Sequence, residues 1–592
     1  MQDIYRQATR VLTWLGLAYE NSDLVFQLCE RLLSDKRCPL ILKAANSIAS
    51  DWIIFAYRNR RELIRKKLAE FSSRITGQHS ETDRVKSKDS KTPSEEAGIP
   101  SSGPGESNAT TSNSSTQNDE LNTITDDERQ ALYQLLKRPY WNRHWVIQEF
   151  CLPSKTLLIC GDRAMDSDHF LLSIFLAILL SSDGPEGSAR RVLKSSNAVS
   201  LMDARIKFKQ KPEEFDILET MCKFRSSLAT EPRDKIYGML GLLSTDDRDR
   251  LDIEYDKNSD ASHCYIRAAK SFLVTRRNLD SLTVDRILSN SKIPKKLPTW
   301  VTDWSAFDRN MSRLPLGSRE SSFTAGVSSS IFHSFSASHT CNDYTARFSE
   351  DSKDALKCNL ILSGFDTDTL SEVTEAHRDE FGGMVMPSWQ SLTGIIRFLS
   401  QWITLLIKFG RYLDTMAGWE KLALSEAEYP TGEDPLKVLC ETIAVSDMRS
   451  GANETITVSN MRDGANETFA EFLRWRKRFQ GPKKLSYAKA FGLHRLGSVY
   501  ALAAALAGIR AALRNIDSTF VYKIGAISSR RLARTSRGYL ALVPELSRAG
   551  DRIALFKGGK MPFVVREQGK QWGLIGCSYV HGIMFGKDWD ES

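Results

Sequence analysis

An indole and a carboxylate four residues apart, Trp145 and Glu149, are the pair in this chain most suggestive of a site. On a helix the i, i+4 relation puts both on one face, with Arg143 nearby. The commoner role of such a pair is structural, a core anchor beside a solvated or Arg-paired carboxylate. Arg233 and Asp234 stand before an apolar stripe and read as a helix-start pair, the aspartate facing the macrodipole and the arginine bridging to a neighbouring element. Trp300 and Trp304 read as packing anchors. Basic runs occur at Arg58 to Arg61 with Arg65 to Lys67, at Arg474 to Arg478, and at Arg530 and Arg531 with Arg534 and Arg537. The second interleaves cations with an aromatic as nucleic-acid or anionic-membrane patches do, but solvated helix faces are the plainer reading of all three. The nine histidines have no ligand spacing and the ten cysteines form no C-x-x-C pair. Phosphate-loop, nucleophile-elbow and dinucleotide-binding glycine motifs are missing too, so no metal and no resident cofactor is expected.

The elements that would hold these residues alternate. A helix end at Asp3 to Thr9 runs into a short buried strand, Val11 to Leu15, stopped by Gly16. Asn21 to Asp23 offer N-caps for a helix through Leu33, and a longer helix is expected over Leu40 to Phe71. Thr125 to Glu128 form a capping box, so a helix starts there and stops at Pro139. A helix over Trp141 to Phe150, a strand Thr156 to Cys160 and an apolar helix from Asp168 to Leu180 follow. The organisation expected is an α/β domain over 1–77 and 125–180, a disordered Ser/Thr/Gly/Pro-rich insertion at 78–124, and a helical region at 181–310. A mixed region at 311–515 follows, then a small β-rich module at 516–592. Within the mixed region Met448 to Thr455 recurs as Met461 to Thr468, a period too short and too few for a solenoid.

The length of 592 residues is enough for several cores, and 41% hydrophobic with 26% charged residues excludes whole-chain disorder, fibre or coiled-coil rod. The 81 Lys and Arg exceed the 73 Asp and Glu by only 8, so global charge argues for no nucleic-acid role. Scattered cysteines and an N-terminus without a secretory pattern point to an intracellular, cytoplasmic protein. The longest apolar run, Phe170 to Leu180, is too short to cross a bilayer.

Several blocks, in order, resemble the fungal heterokaryon incompatibility (HET domain) family. Ile4 to Gly16, ending Trp14-Leu15-Gly16, looks like the family's helix-to-strand block. Arg138-Pro-Tyr-Trp-Asn-Arg-His-Trp-Val-Ile-Gln-Glu149 looks like its R-x-W-x-x-R-x-W-x-x-Q-E block. Pro232 to Leu242, Leu297 to Trp304, Gly550-Asp551 with Pro562 to Arg566, and Tyr579 to Met584 resemble blocks that accompany the domain. The resemblance implies non-self recognition ending in programmed cell death. The partner would be another incompatibility factor or a second copy, met through Trp141, Arg143, Gln148, Arg233 and Asp234. The family's first half, with S-Y-x-W-G and W-I-D-A-x-C-I-N-Q stretches, would precede Ile4, so a truncated chain with an exposed sheet edge, or an inactive remnant, is an alternative. HET domains are in turn similar to TIR domains, which implies a partial TIR-like layer. It also implies an alternative activity, NAD glycohydrolysis, with Glu149 as the catalytic carboxylate and Trp145 lining base or ribose. One carboxylate near the ribose would stabilise the oxocarbenium-like state or orient water.

Overall fold

The structure is a computed structural model. It describes residues 2–19, 21–34, 124–180, 197–210, 215–243, 248–249, 260–286, 291, 297–306, 337, 344, 346–349, 357–377, 411–412, 414–426, 428–444, 469–470, 472–474, 476, 527, 529–584 and 586. The expected helix over Leu40 to Phe71, the insertion at 78–124 apart from Ile124, and the tandem duplication lie outside the described residues. Two compact units are present: Met1–Gly16, Leu136–Ile159 and Arg190–Ser592 form one, and Leu17–Leu135 with Cys160–Ala189 form the other.

In the first unit, α1 (Gln2–Gln7) leads to β1 (Val11–Trp14). Strand β1 pairs in parallel with β2 (Thr156–Cys160), Leu12 opposite Leu157 and Trp14 opposite Ile159. A parallel pair needs a crossover, and part of it here is α2 (Val146–Cys151). The helix expected over Trp141 to Phe150 is broken. Pro139–Asn142 form a 3-10 turn, Arg143 leaves it in an extended conformation, and α2 starts only after Trp145, which occupies its N-cap. The break is stabilised from outside the segment, because Arg143 makes a parallel bridge to Leu228 and His144 N–H donates to the Leu228 carbonyl at 2.9 Å.

Among the described residues four helices follow: α3 (Asn197–Gln210), α4 (Ile217–Lys223), α5 (Asp234–Leu240) and α6 (Ala261–Arg276). Arg205 of α3 is buried and donates to the carbonyls of Phe150 at 2.6 Å and Pro153 at 3.1 Å, satisfying the C-terminal end of α2. Arg225 is likewise buried. Its guanidinium donates to the carbonyls of Ala306, Asp285 and Asp303 and stacks on Trp304, 5.8 Å from the ring centroid. Trp300 and Trp304 are buried packing anchors, as their spacing suggested.

The C-terminal sheet has seven strands: β3 (Gly364–His377), β4 (Arg530–Thr535), β5 (Leu540–Pro544), β6 (Arg552–Phe556), β7 (Phe563–Gln568), β8 (Gln571–Cys577) and β9 (Tyr579–Val580). Their order is β8-β7-β6-β3-β4-β5-β9, all neighbours antiparallel. The first half of β3 pairs with β6 and the second half with β4, with register shifts that bend the strand between them. At the far end Gly576 lies against Pro544 of β5, where an added Cβ would come within 2.9 Å of the proline ring. Only a residue without a side chain lets β8 curl back so closely, and the φ of +151° there also favours glycine. Two of the quoted blocks meet in this sheet: Arg566 forks onto buried Asp551 with contacts of 2.7 and 2.8 Å.

Arg530 and Arg534 correct the sequence reading. They belong to strand β4, not to a solvated helix face, and both are buried. Arg530 pairs with Asp285 and donates to the Cys577 carbonyl, while Arg534 donates to the carbonyls of Gly538 and Leu422. The chain thus has helices and strands with a β-rich C-terminal sheet, and β3, with its run of charged and hydroxyl residues, is among the strands that hydropathy did not reveal, with β4 and Arg163–Asp166.

In the second unit, helix Ser22–Ser34 packs against helix Ser167–Leu180, which follows strand Arg163–Asp166. Helix Asp126–Leu136 opens with the expected capping box: Thr125 N–H donates to Glu128 at 2.9 Å and Glu128 N–H donates to the Thr125 hydroxyl at 3.2 Å. Arg31 ties the first helix to Glu128 at 2.6 Å. Among the described residues no helix is long and apolar enough to cross a membrane.

Candidate functional site

The residues around α2 are placed by strand pairing on one side and by helix α5 on the other. Arg138 is buried, and its guanidinium donates to the Leu15 carbonyl at 2.9 Å, locking the start of the Arg138–Glu149 stretch to the end of β1. Gly16 follows with a φ of +108°, turning the chain away. Trp141 is packed in the interior, 1% exposed, with edge-on contacts to Tyr140 and Phe150.

Helix α5 holds the other side at three heights. Near its start Asp234 accepts from the Trp145 indole N–H at 3.0 Å; midway the Tyr237 carbonyl accepts from the buried Gln148 side-chain amide at 2.9 Å; past its end the Gly241 carbonyl accepts from Arg6 of α1 at 2.8 Å. Gly238 faces His144 so closely that a Cβ would stand 2.5 Å from the imidazole Cδ2. Buried His144 bonds Ser227 through Nδ1. Burial, reinforced by the Lys235 charge, pushes its pKa down to about 3, so the ring is neutral at pH 7.

Glu149 is half-buried, next to the buried Gln148 on α2 but turned by about 100° around the helix. The Tyr140 hydroxyl stands 3.5 Å from its Oε2 and 3.3 Å from the Thr13 hydroxyl of β1. Tyr5 of α1 also bonds it; burial first, then the Glu149 charge, raises the Tyr5 pKa, while Arg143 opposes. Burial likewise raises the Tyr140 pKa. Both phenols therefore stay protonated donors beside a carboxylate, with the exposed Arg143 contributing long-range positive potential. Such a carboxylate can stabilise a cationic centre or orient a water. The Trp145 indole N–H is already committed to Asp234, so that face serves packing between α2 and α5.

Of the residues singled out in the sequence, Trp145 and Asp234 are in direct contact, and Gln148 joins them through Tyr237. Arg233 is half-buried at the N-cap of α5. Trp141 and Gln148 face the interior, and Arg143 is exposed. Sequence reasoning missed Thr13, Tyr140 and Tyr5. Tyr140 lies inside the quoted block and could have been included, whereas Tyr5 carries no local signal.

Comparison with known proteins places families at both ends of the chain. The heterokaryon incompatibility protein (HET) model matches residues 1–149, and the Het-6 β-barrel domain model matches residues 504–591. Heterokaryon incompatibility protein 6, OR allele, of Neurospora crassa is 23% identical over 210 residues, covering 31% of this chain and 31% of that protein. The matched stretch spans about a third of the length of that curated relative. No solved structure matches. The chain thus carries, in this order, a region similar to the heterokaryon incompatibility (HET) model and a region similar to the Het-6 β-barrel model.

Proposed function

We propose that this chain is a cytoplasmic factor of fungal self/non-self recognition whose HET region triggers cell death when brought into an assembly with another protein or a second copy. The observation that carries this reading is the pairing of a HET match at residues 1–149 with a Het-6 β-barrel match at residues 504–591. The parallel β1–β2 pair with its crossover supports a partial TIR-like layer, and the tie between Trp145 and Asp234 supports a structural role for the indole. Signalling then depends on the integrity of the α2–α5 packing, with exposed Arg143 on the side available to partners.

The second reading is an NAD glycohydrolase, favoured by the Glu149 carboxylate with its two protonated tyrosines. Expression of the wild type and of Glu149→Gln in a fungal host, with viability and cellular NAD measured together, separates the two. The assembly reading expects killing by both chains without an early fall in NAD. Loss of killing in Glu149→Gln, with NAD falling only in the wild type, establishes the enzyme and removes the assembly reading.

A further inference from the structure

We propose that Glu433, Glu441 and His581 form a binding site for a divalent transition-metal ion, zinc in the first place. Each offers one ligand atom, and the three atoms lie within 4.8 Å of one another. Zinc held at about 2.0–2.2 Å in a tetrahedron needs its ligand atoms about 3.4 Å apart, so closure requires a rotamer adjustment of at most roughly 1.4 Å at any pair. His581 Nε2 is 3.0 Å from Glu433 Oε2, while Glu441 Oε2 stands 3.7 Å from the other ring nitrogen, Nδ1, so a metal on Nε2 draws the Glu441 carboxylate across the ring edge. One imidazole nitrogen and two carboxylate oxygens make the mixed set that borderline divalent ions accept.

The surroundings hold the imidazole as a ligand needs to be held. His581 is fully buried and follows β9; the Tyr429 hydroxyl donates to its carbonyl at 2.9 Å and accepts from Leu540 N–H of β5 at 2.9 Å, fixing the backbone. The Tyr579 hydroxyl stands 3.2 Å from Nδ1. When Nδ1–H donates to that hydroxyl, the Nε2 lone pair points toward Glu433, the tautomer that binds metal. Thr431 donates to Glu433 Oε2, the oxygen that faces His581 Nε2, and so fixes its position.

Charge points the same way. Glu441, on α7 (Pro435–Ala444), has a side chain only 7% exposed, and Glu433 precedes that helix. Two carboxylates beside one buried imidazole repel each other, and Lys437 Nζ lies 3.9 Å from Glu441 Oε1. A divalent cation offsets both negative charges at once. Its place would be structural, clasping α7 and its leading loop to the end of the sheet. The ligands are far apart in the chain, His581 lying 148 positions from Glu433, which is why no local spacing announced them.

The test uses the full chain, stripped of metal with a chelator and titrated with Zn2+ alone. The expected result is one tight zinc per chain, a rise in Tm on loading, and loss of both in Glu433→Gln and in His581→Gln, with affinity lowered at least tenfold. Glu433→Gln, at the half-exposed edge, also guards against misfolding, checked by an unchanged circular dichroism spectrum. Cobalt substitution should give a spectrum of nitrogen and oxygen ligation. No equimolar binding, binding unchanged in both variants, or a thiolate-to-cobalt charge-transfer band would each overturn the proposal.

Discussion

At the residue scale the chain stakes stability on side chains whose ordinary charge burial has suppressed. His144 is pushed down to about 3 and His377 to about 4, the latter by burial alone. Both are neutral in the folded protein at pH 7, whereas in the unfolded chain each takes a proton below about pH 6.5. The unfolded state therefore holds more protons between pH 6.5 and the folded values. Stability is fully present above about pH 6.5 and falls as pH drops toward 4, by about 1.4 kcal/mol per pH unit for each ring. Urea unfolding midpoints between pH 7 and pH 4.5 should show this decline, and His377→Phe should make it shallower. A stability that is level through that window would contradict the assignment. The same neutral state explains why His144 can sit against Gly238: an uncharged ring needs no solvent, and helix α5 can approach it at van der Waals distance.

At the scale of elements, buried arginines join pieces that are distant in the sequence. Arg138 ties the stretch before α2 to β1, Arg205 caps α2 from α3, Arg225 gathers the segments at Asp285 and at Asp303 to Ala306, and Arg530 brings β4 to Asp285. Guanidinium suits this work because its planar fork can meet several carbonyls at once and keeps its charge when buried. Burial raises the Asp285 pKa, and the Arg530 charge opposes that rise. Arg530→Met should therefore leave a carboxylate without its close partner and lower stability by about 3–5 kcal/mol. Thermal melting followed by circular dichroism reads this, and Asp285→Asn added to Arg530→Met should recover part of the loss. If Arg530→Met melts like the wild type, β4 does not depend on the pair.

At the scale of the whole molecule, the described cysteines 29, 151, 160, 222, 264, 358, 440 and 577 are all buried thiols. Burial lifts Cys29 to about 12 and Cys264 to about 11, so neither supplies thiolate near neutral pH. A thiol reagent at pH 8 should label these eight slowly in the native chain and fully in guanidinium, with mass spectrometry locating the sites; rapid native labelling of Cys29 or Cys264 would show that the cores open. Local physics made several parts of this protein legible from the sequence. The capping box at Thr125 needs only neighbours three residues apart, the strand Thr156–Cys160 only a short apolar run, and the β-rich C-terminal end only short apolar runs between glycine turns. Contacts across long separations decided the rest. The helix read over Trp141 to Phe150 breaks because Leu228 pairs with the intervening backbone, and the arginines of β4 turn inward because Asp285 and distant carbonyls await them. Glu149 meets Tyr5, and His581 meets Glu433 and Glu441, only after strands and helices have packed, since hydrogen bonds and charge pairing act over a few ångströms in space and are blind to distance along the chain.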